Sequence, residues 1–330
     1  MASNSSFIVD HAHKAHDGAF GYGYPEIPAR VDSILASLER TGYEVEEFHS
    51  EPREAIVSLH SHDMLTYIDR FCSSMKGSAA YPPVLPGTVR DGSGHPRSQT
   101  YCFDLSTPLA PRTPEAAMAA AGLALEGASR IQAGTRFVYA LCRPPGHHAG
   151  TDFFGGFCFF NNAALAADVL SKHGTVAILD LDYHHGNGTQ QIFYERRDVL
   201  YVSTHADPTM AYPQISGFTN ETGEGAGEGY NFNFPLPLNT DDRTYLEALP
   251  RAMESVWGFD PDYLVVSLGL DGAMGDPVGT WSLSKESFEK SGEKVAEMNV
   301  PTLVIQEGGY NLRRLGDDVV AFLDAAQASS

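Results

Sequence analysis

Between positions 180 and 186 the chain reads Asp-Leu-Asp-Tyr-His-His-Gly, two carboxylates and two imidazoles in close succession, directly after the apolar run Thr175-Val-Ala-Ile-Leu. That run reads as a fully buried strand, so the polar cluster falls at its carboxyl end, where open α/β sheets bind ligands. In an extended chain Asp180, Asp182 and His184 share one face, because side chains alternate with a period of two. Three ligand-type side chains directed into one crevice point to a metal ion.

Three more polar loops follow predicted strands: Arg143-Pro-Pro-Gly-His147-His148-Ala-Gly, Ser267-Leu-Gly-Leu-Asp271 and Glu307-Gly-Gly-Tyr310. Each is a weak signal alone, since a Gly-Gly-Tyr is usually a turn and a His-His pair is usually structural. Together they weigh against a purely structural role, because so many buried polar groups need partners.

The elements that must carry these loops alternate along the chain. A short strand at 6–9 precedes an amphipathic helix from Pro28 with apolar positions 31, 34, 35 and 38, and two helical segments follow at 53–60 and 62–74. The stretch 76–112 is rich in Pro and Gly without sustained periodicity, too long for an incidental connection, which suggests a functional or assembly loop. Thr113-Pro-Glu reads as an N-cap followed by an N1 proline. Helices are then predicted at 114–133, 161–172, 187–195, 242–256, 284–298 and 311–326, and strands at 136–142, 175–181, 198–204, 230–235, 262–268 and 301–306. Such alternation implies an α/β fold, an open parallel sheet with helices on both faces. Neither an internal repeat nor an interdomain linker is evident, so residues 1–330 read as a single domain with long loops.

Composition narrows the classes. At 42% hydrophobic and 11% aromatic residues the chain reads as a globular protein, and no apolar run approaches the roughly 18 residues of a membrane helix. The first residues lack a secretory pattern, so a cytoplasmic location is expected. The four cysteines at 72, 102, 142 and 158 are far apart with no Cys-x-x-Cys, which disfavours a disulfide framework or a thiolate zinc site. A net charge of −20 repels nucleic acid and anionic membranes and attracts a cationic substrate.

In order and spacing, Pro144-Pro-Gly-His-His-Ala, Gly155-Gly-Phe-Cys-Phe-Phe-Asn-Asn and Asp180-Leu-Asp-Tyr-His-His-Gly-Asn-Gly-Thr-Gln resemble the histone deacetylase and acetylpolyamine amidohydrolase superfamily. The resemblance runs from Leu59-His-Ser-His-Asp-Met-Leu-Thr-Tyr to Glu307-Gly-Gly-Tyr-Asn-Leu and implies the arginase/deacetylase-like fold. Tyr101-Cys-Phe-Asp-Leu-Ser-Thr-Pro looks more like the acetylpolyamine branch. The resemblance makes Asp182, His184 and Asp271 the ligands of one Zn2+, with Fe2+ or Co2+ as alternatives, a three-ligand set that leaves room for water. It pairs His147 with Asp180 and His148 with Asn187. A neutral partner stabilises imidazolium less than a carboxylate does, which favours His148 as the neutral general base and His147 as a positive charge beside the oxyanion. Tyr310 becomes the hydroxyl donor to that oxyanion. Phe157 and Tyr212 resemble the walls of a narrow tunnel, and the Gly156 carbonyl an acceptor for the substrate amide. A K+ ion near Asp180 and Ser203 is a further implication. Asp104 and Glu115 are candidate contacts for a cationic substrate, although a turn cap at Asp104 and a helix N-terminal role for Glu115 are the preferred readings.

A dinuclear ureohydrolase shares the fold but needs extra aspartates. Here His185 and Gly186 follow His184, and the next acid after Asp271 is Asp276. A non-catalytic binder of acetylated amines is disfavoured by retention of both histidines, the ligand trio and Tyr310. The expectation is therefore a zinc-dependent deacetylase. Net charge, the 76–112 loop and the 101–104 segment favour small cationic acetylpolyamines over acetyl-lysine in proteins, with that loop building a homodimer or homotetramer and narrowing the entrance. Against this, Val278 in Gly275-Asp-Pro-Val-Gly offers no charge where some polyamine-selective deacetylases place an acid.

Overall fold

The computed structural model describes residues 4–17, 20, 23–77, 79–82, 88–90, 96–98 and 101–328. In chain order its elements are β1 (Ser5–Val9), α1 (Ala29–Arg40), β2 (Glu46–Glu47), α2 (Arg53–Val57), α3 (His62–Ser73), β3 (Thr88–Arg90), β4 (Pro96–Ser98), α4 (Thr113–Gln132), β5 (Phe137–Ala140), α5 (Asn162–Leu170), β6 (Val176–Asp180), α6 (Asn187–Phe193), β7 (Val199–Ala206), β8 (Asn231–Leu236), α7 (Asp242–Phe259), β9 (Tyr263–Leu268), α8 (Lys285–Ala296), β10 (Thr302–Gln306) and α9 (Leu315–Ala326).

Eight of these strands form one sheet in the order β2-β1-β5-β10-β9-β6-β7-β8, with every neighbouring pair parallel. The expected α/β architecture is therefore present. Its central strands β5, β10, β9 and β6 are predominantly apolar and buried because both faces are covered. Tyr139, Leu179, Val266 and Val304 pack with Leu38 of α1, Met253 of α7, Phe288 of α8 and Phe322 of α9. Their chain neighbours Val138, Ile178, Val265 and Ile305 face the other way, against Leu123 of α4 and Leu170 of α5. Among the described residues no helix is long and apolar enough to cross a membrane.

The order of strands fixes where a site can form. From β6 the chain moves outward through α6 to β7, and from β9 it moves through α8 to β10 in the opposite direction. Adjacent strands whose connections diverge leave a crevice at their carboxyl ends. Asp180 lies opposite Ser267 in the β6–β9 register, so the loops after both strands open into that crevice.

Several sequence expectations are corrected. Thr113 is not an N-cap: the cap position is Arg112, while the Thr113 hydroxyl accepts from the Ala110 amide at 2.7 Å and bonds His16 Nδ1 at 2.8 Å. Helix α9 starts at Leu315 and not at 311, because residues 311–314 form a turn held by the Asn311 carbonyl. The two-residue strand β2 was too short to leave a periodic signal. Within 76–112, residues 78, 83–87, 91–95 and 99–100 lie outside the described residues, and the expected dimer and entrance role of this loop falls in part on them. The remainder includes the antiparallel pair β3–β4 and a bridge between Ala80 and Leu109.

Helices α8 and α9 cross at close range, with a Cβ added at Gly292 falling 2.3 Å from the Phe322 carbonyl oxygen. Backbone cannot retreat as a side chain can, so Gly292→Ala is expected to destabilise the protein by about 1–3 kcal/mol. Urea denaturation would show this as a lower midpoint with an unchanged slope, and an unchanged midpoint would contradict the close crossing.

Candidate active site

Asp182 and His184 follow β6, Asp271 follows β9, and one ligand atom from each lies within 4.8 Å of the others. Among the described residues this is the one such group of three. His184 Nδ1 stands 2.7 Å from Asp271 Oδ2 and 3.4 Å from Asp182 Oδ1. Gly308 permits close approach from β10: its amide donates to Asp182 Oδ2 at 2.9 Å, and a Cβ there would lie 2.6 Å from the same oxygen. Burial, reinforced by the Asp182 charge, pushes the Asp271 carboxyl upward. Asp182 moves downward because His147 and His184 outweigh its burial. Two buried carboxylates thus converge on one imidazole, a place where a divalent cation would supply positive charge. The donor set, two carboxylates and one imidazole, fits such a metal.

Asp180, grouped with Asp182 and His184 by strand alternation, does not join the ligand trio. The strand ends at Asp180, and its carboxylate instead accepts from His147 Nδ1 at 3.1 Å, the Tyr201 hydroxyl at 2.9 Å and the Asp182 amide at 3.2 Å. His147 Nε2 is 3.7 Å from Asp182 Oδ1, so the ring lies between two carboxylates. Burial alone would depress this imidazole, but Asp182 and Asp180 carry it up to about 10. His148 is held well below its usual value by burial and by the positive charges of His147 and His184. The pair therefore divides into imidazolium and neutral imidazole, with burial and the neighbouring charge outranking the partner residue as cause. His148 Nδ1 donates to Asn187 Oδ1 at 2.8 Å, which leaves Nε2 as the acceptor.

Tyr310 is supported by residues that sequence reasoning passed over. Its amide donates to Asp276 Oδ2 at 2.6 Å, while Arg30 lies over its ring at 4.6 Å from the centroid. Arg30 also donates through Nε to the Gly309 carbonyl at 2.6 Å and through Nη2 to the Glu307 carbonyl at 2.5 Å. Burial holds the Tyr310 phenol well above its usual pKa, so it remains an O–H donor. Glu307, fully buried, accepts from the amides of Gly146 at 2.6 Å and His147 at 3.2 Å. His60 does the same service from the other side: Nδ1 donates to the Gly150 carbonyl at 2.8 Å, and Nε2 accepts from the Asn161 amide at 2.9 Å. The signal for His60 was its place in the quoted 59–67 segment. For Arg30, on an ordinary amphipathic helix, there was none.

A cavity of about 350 Å³ leads outward from these groups. His147, His148, Asp182, His184 and Tyr310 line its inner part, and Phe157, Tyr212, Met210, Leu238 and Val278 its walls. The Phe157 ring meets Tyr310 edge to face at 5.6 Å, and Tyr212 meets His148 in the same way at 4.9 Å. The Gly156 carbonyl receives the Cys158 thiol at 3.3 Å. Ser203 pairs with Asp180 in the β6–β7 register, and its hydroxyl bonds His205 Nδ1 at 2.7 Å. Asp104 caps the turn at 104–107. Glu115, in the first turn of α4, pairs with Arg112 at the surface and does not line the cavity.

Residues 24–326 match the family model described as histone deacetylase domain. The chain is 38% identical over 314 residues to an acetylpolyamine amidohydrolase of Mycoplana ramosa, covering 90% of this chain and 91% of the other. It is also 38% identical over 309 residues to acetylpolyamine amidohydrolase 2 of Pseudomonas aeruginosa, covering 90% of each. The crystal structure of an acetylpolyamine aminohydrolase from Burkholderia pseudomallei superposes with a TM-score of 0.89 at 34% identity, covering 98% of this chain and 99% of that one.

Burial holds His60, His13 and His205 down to about 4 and His16 to about 3. A depressed value means that the folded state favours the neutral ring. Their contribution is complete above pH 6.5 and is lost as pH falls toward those values. Calorimetry should therefore record a Tm that declines from pH 6.5 to 4, with a shallower decline in His60→Gln. Parallel profiles for the two proteins would mean that His60 has no part in the decline.

Proposed function

This chain belongs to the histone deacetylase domain family, and on that premise we propose that it is a zinc-dependent amidohydrolase removing acetyl groups from acetylated alkylamines, acetylpolyamines foremost. The observation that carries the reading is the buried Asp182–His184–Asp271 group at the inner end of an aromatic-walled tunnel, with His148 and Tyr310 beside it. A divalent metal held by those three residues, zinc in this reading with Fe2+ or Co2+ as chemical alternatives, supplies Lewis acidity and acidifies bound water.

The remaining chemistry is read from the protein's own groups. His148, neutral and with Nε2 free to accept, takes the proton of the attacking water and returns it to the departing amine. His147, kept as imidazolium by Asp180, sets positive charge beside the carbonyl oxygen as that oxygen becomes negative. Tyr310 donates its O–H to the same oxygen. Asn187 fixes the tautomer of His148, and the Gly156 carbonyl orients the substrate N–H. Phe157 and Tyr212 enclose the alkyl chain and exclude water. Amide and water are consumed, and acetate and a free amine are released without a covalent enzyme intermediate.

The relatives named acetylpolyamine amidohydrolases and the net charge of −20 favour a small cationic substrate. One observation favours protein acetyl-lysine as the second reading: among the described residues lining the cavity the sole carboxylate is Asp182, and Val278 sits in its wall. A K+ ion beside Asp180 and Ser203, a homodimer or homotetramer built through 76–112, and a cytoplasmic setting without nucleic-acid or membrane partners complete the proposal.

Turnover of N-acetylputrescine, N-acetylcadaverine, acetylspermidine and an acetyl-lysine peptide, measured side by side as acetate release, tests the substrate class. A preference of more than about tenfold for the peptide, equivalent to 1.4 kcal/mol, would put protein acetyl-lysine ahead of the acetylpolyamines. In zinc-replete enzyme His148→Ala and Tyr310→Phe are each expected to lower kcat by about 100-fold or more; full activity in both would sink the mechanism. Elemental analysis should find about one metal per chain after zinc loading and a large loss in Asp271→Ala.

A further inference from the structure

Three of the segments that line the tunnel, 101–107, 155–157 and 207–213, are joined by one carboxylate. Asp104 Oδ2 accepts from the Gly156 amide at 2.6 Å, the Tyr212 hydroxyl at 2.9 Å and the Ser106 hydroxyl at 2.7 Å. Its Oδ1 accepts from the amides of Ser106 and Thr107, both at 3.1 Å. A carboxylate offers about four lone-pair sites. With the Cys102 thiol 3.8 Å from Oδ1, six protein donors already surround this one.

The backbone it holds requires holding. Gly156 and Phe157 are consecutive left-handed residues, at φ 57° and 68°, and for a bulky residue that conformation costs about 1–2 kcal/mol. The Phe157 amide donates to the Thr107 hydroxyl at 3.0 Å, and Asp104 fixes the turn that presents Thr107. On the opposite wall the Tyr212 ring stacks on Phe103 at 5.9 Å and lies edge-on to His148 at 4.9 Å. Phe103 in turn donates its amide to the Phe154 carbonyl at 3.0 Å. Both aromatic walls are therefore referred to a single side chain.

We infer that Asp104 is a positioning residue: its carboxylate, bonded at once to the Gly156 amide and the Tyr212 hydroxyl, sets the spacing of the two aromatic walls and is not the counter-ion of a substrate ammonium. This rests on the amidohydrolase reading above and adds to it how the chain is selected. Discrimination at this depth follows the shape of the alkyl segment. Wall contacts are made with bound substrate and persist in the transition state, so their loss raises KM more than it lowers kcat.

The test compares Asp104→Asn, Tyr212→Phe and the double variant, as full-length metal-replete protein, on N-acetylputrescine and on N-pentylacetamide, which replaces the ammonium by a methyl group. Each single variant is expected to raise KM by about tenfold, the scale of one hydrogen bond to a charged group. The factor should be the same for both substrates, and the double variant should be close to Asp104→Asn alone because the two changes remove one shared bond. A loss confined to N-acetylputrescine would make Asp104 a counter-ion, and additive losses would uncouple it from Tyr212; either overturns the inference. Hydrogen exchange supplies a readout independent of turnover: segments 155–157 and 207–213 should both exchange faster in Asp104→Asn, and unchanged exchange would also overturn it. If the unmodified protein hydrolyses neither substrate, the small acetylalkylamine reading fails, and the exchange data alone decide the role of Asp104.

Discussion

Two carboxylates converge on one imidazole in a place from which water is nearly excluded, and the rest of the molecule is arranged around the cost of that. Removing a carboxylate from water costs several kcal/mol even after relaxation. Asp182 and Asp271 are 1% and 0% exposed, so their burial is tolerated only where the fold supplies positive charge and amide donors. The divergence of β6 and β9 provides the place. His147, His184 and the Gly308 amide provide part of the compensation. A divalent cation, which this group could bind, would provide the remainder, so metal chemistry follows from this arrangement more directly than from any single motif.

The compensation extends outward in layers. His147 can remain an imidazolium because Asp182 and Asp180 flank its two ring nitrogens, and Asp180 is held in turn by Tyr201. Glu307 fixes the backbone of Gly146 and His147, while Arg30 grips the carbonyls of Glu307 and Gly309 on either side of Gly308. Loops that are distant in sequence are thus tied together by charged side chains on one another's backbone. Loops positioned this way behave as rigid extensions of the sheet, as a water-excluding site requires.

The sequence disclosed the parts whose signal is local. Uninterrupted apolar runs marked the strands of the parallel sheet, and polar residues at their ends marked the loops that meet at one edge. Strand alternation failed at Asp180 because regular pairing stops there, and the next residues follow loop geometry. Arg30 and Asp276 left no trace: an arginine on an amphipathic helix and an aspartate in a Gly-Pro turn look like surface residues until the fold wraps them around Tyr310. His60 was visible as a member of a segment but not as the bonds it makes, and Asp104 as a turn cap but not as the partner of Gly156 and Tyr212. Long-range partnerships between backbone amides and isolated carboxylates have no period and no spacing, so only the folded chain exhibits them.

The grip of Arg30 on the Glu307 and Gly309 carbonyls spans 277 and 279 positions. Helix α1 is thus pinned to the loop after β10, and each holds the other in place beside the centre. Without the loop after β10 the Arg30 guanidinium would keep only its local partner, Glu26 at 3.0 Å, and lose the two carbonyls that tie it to the far side of the centre.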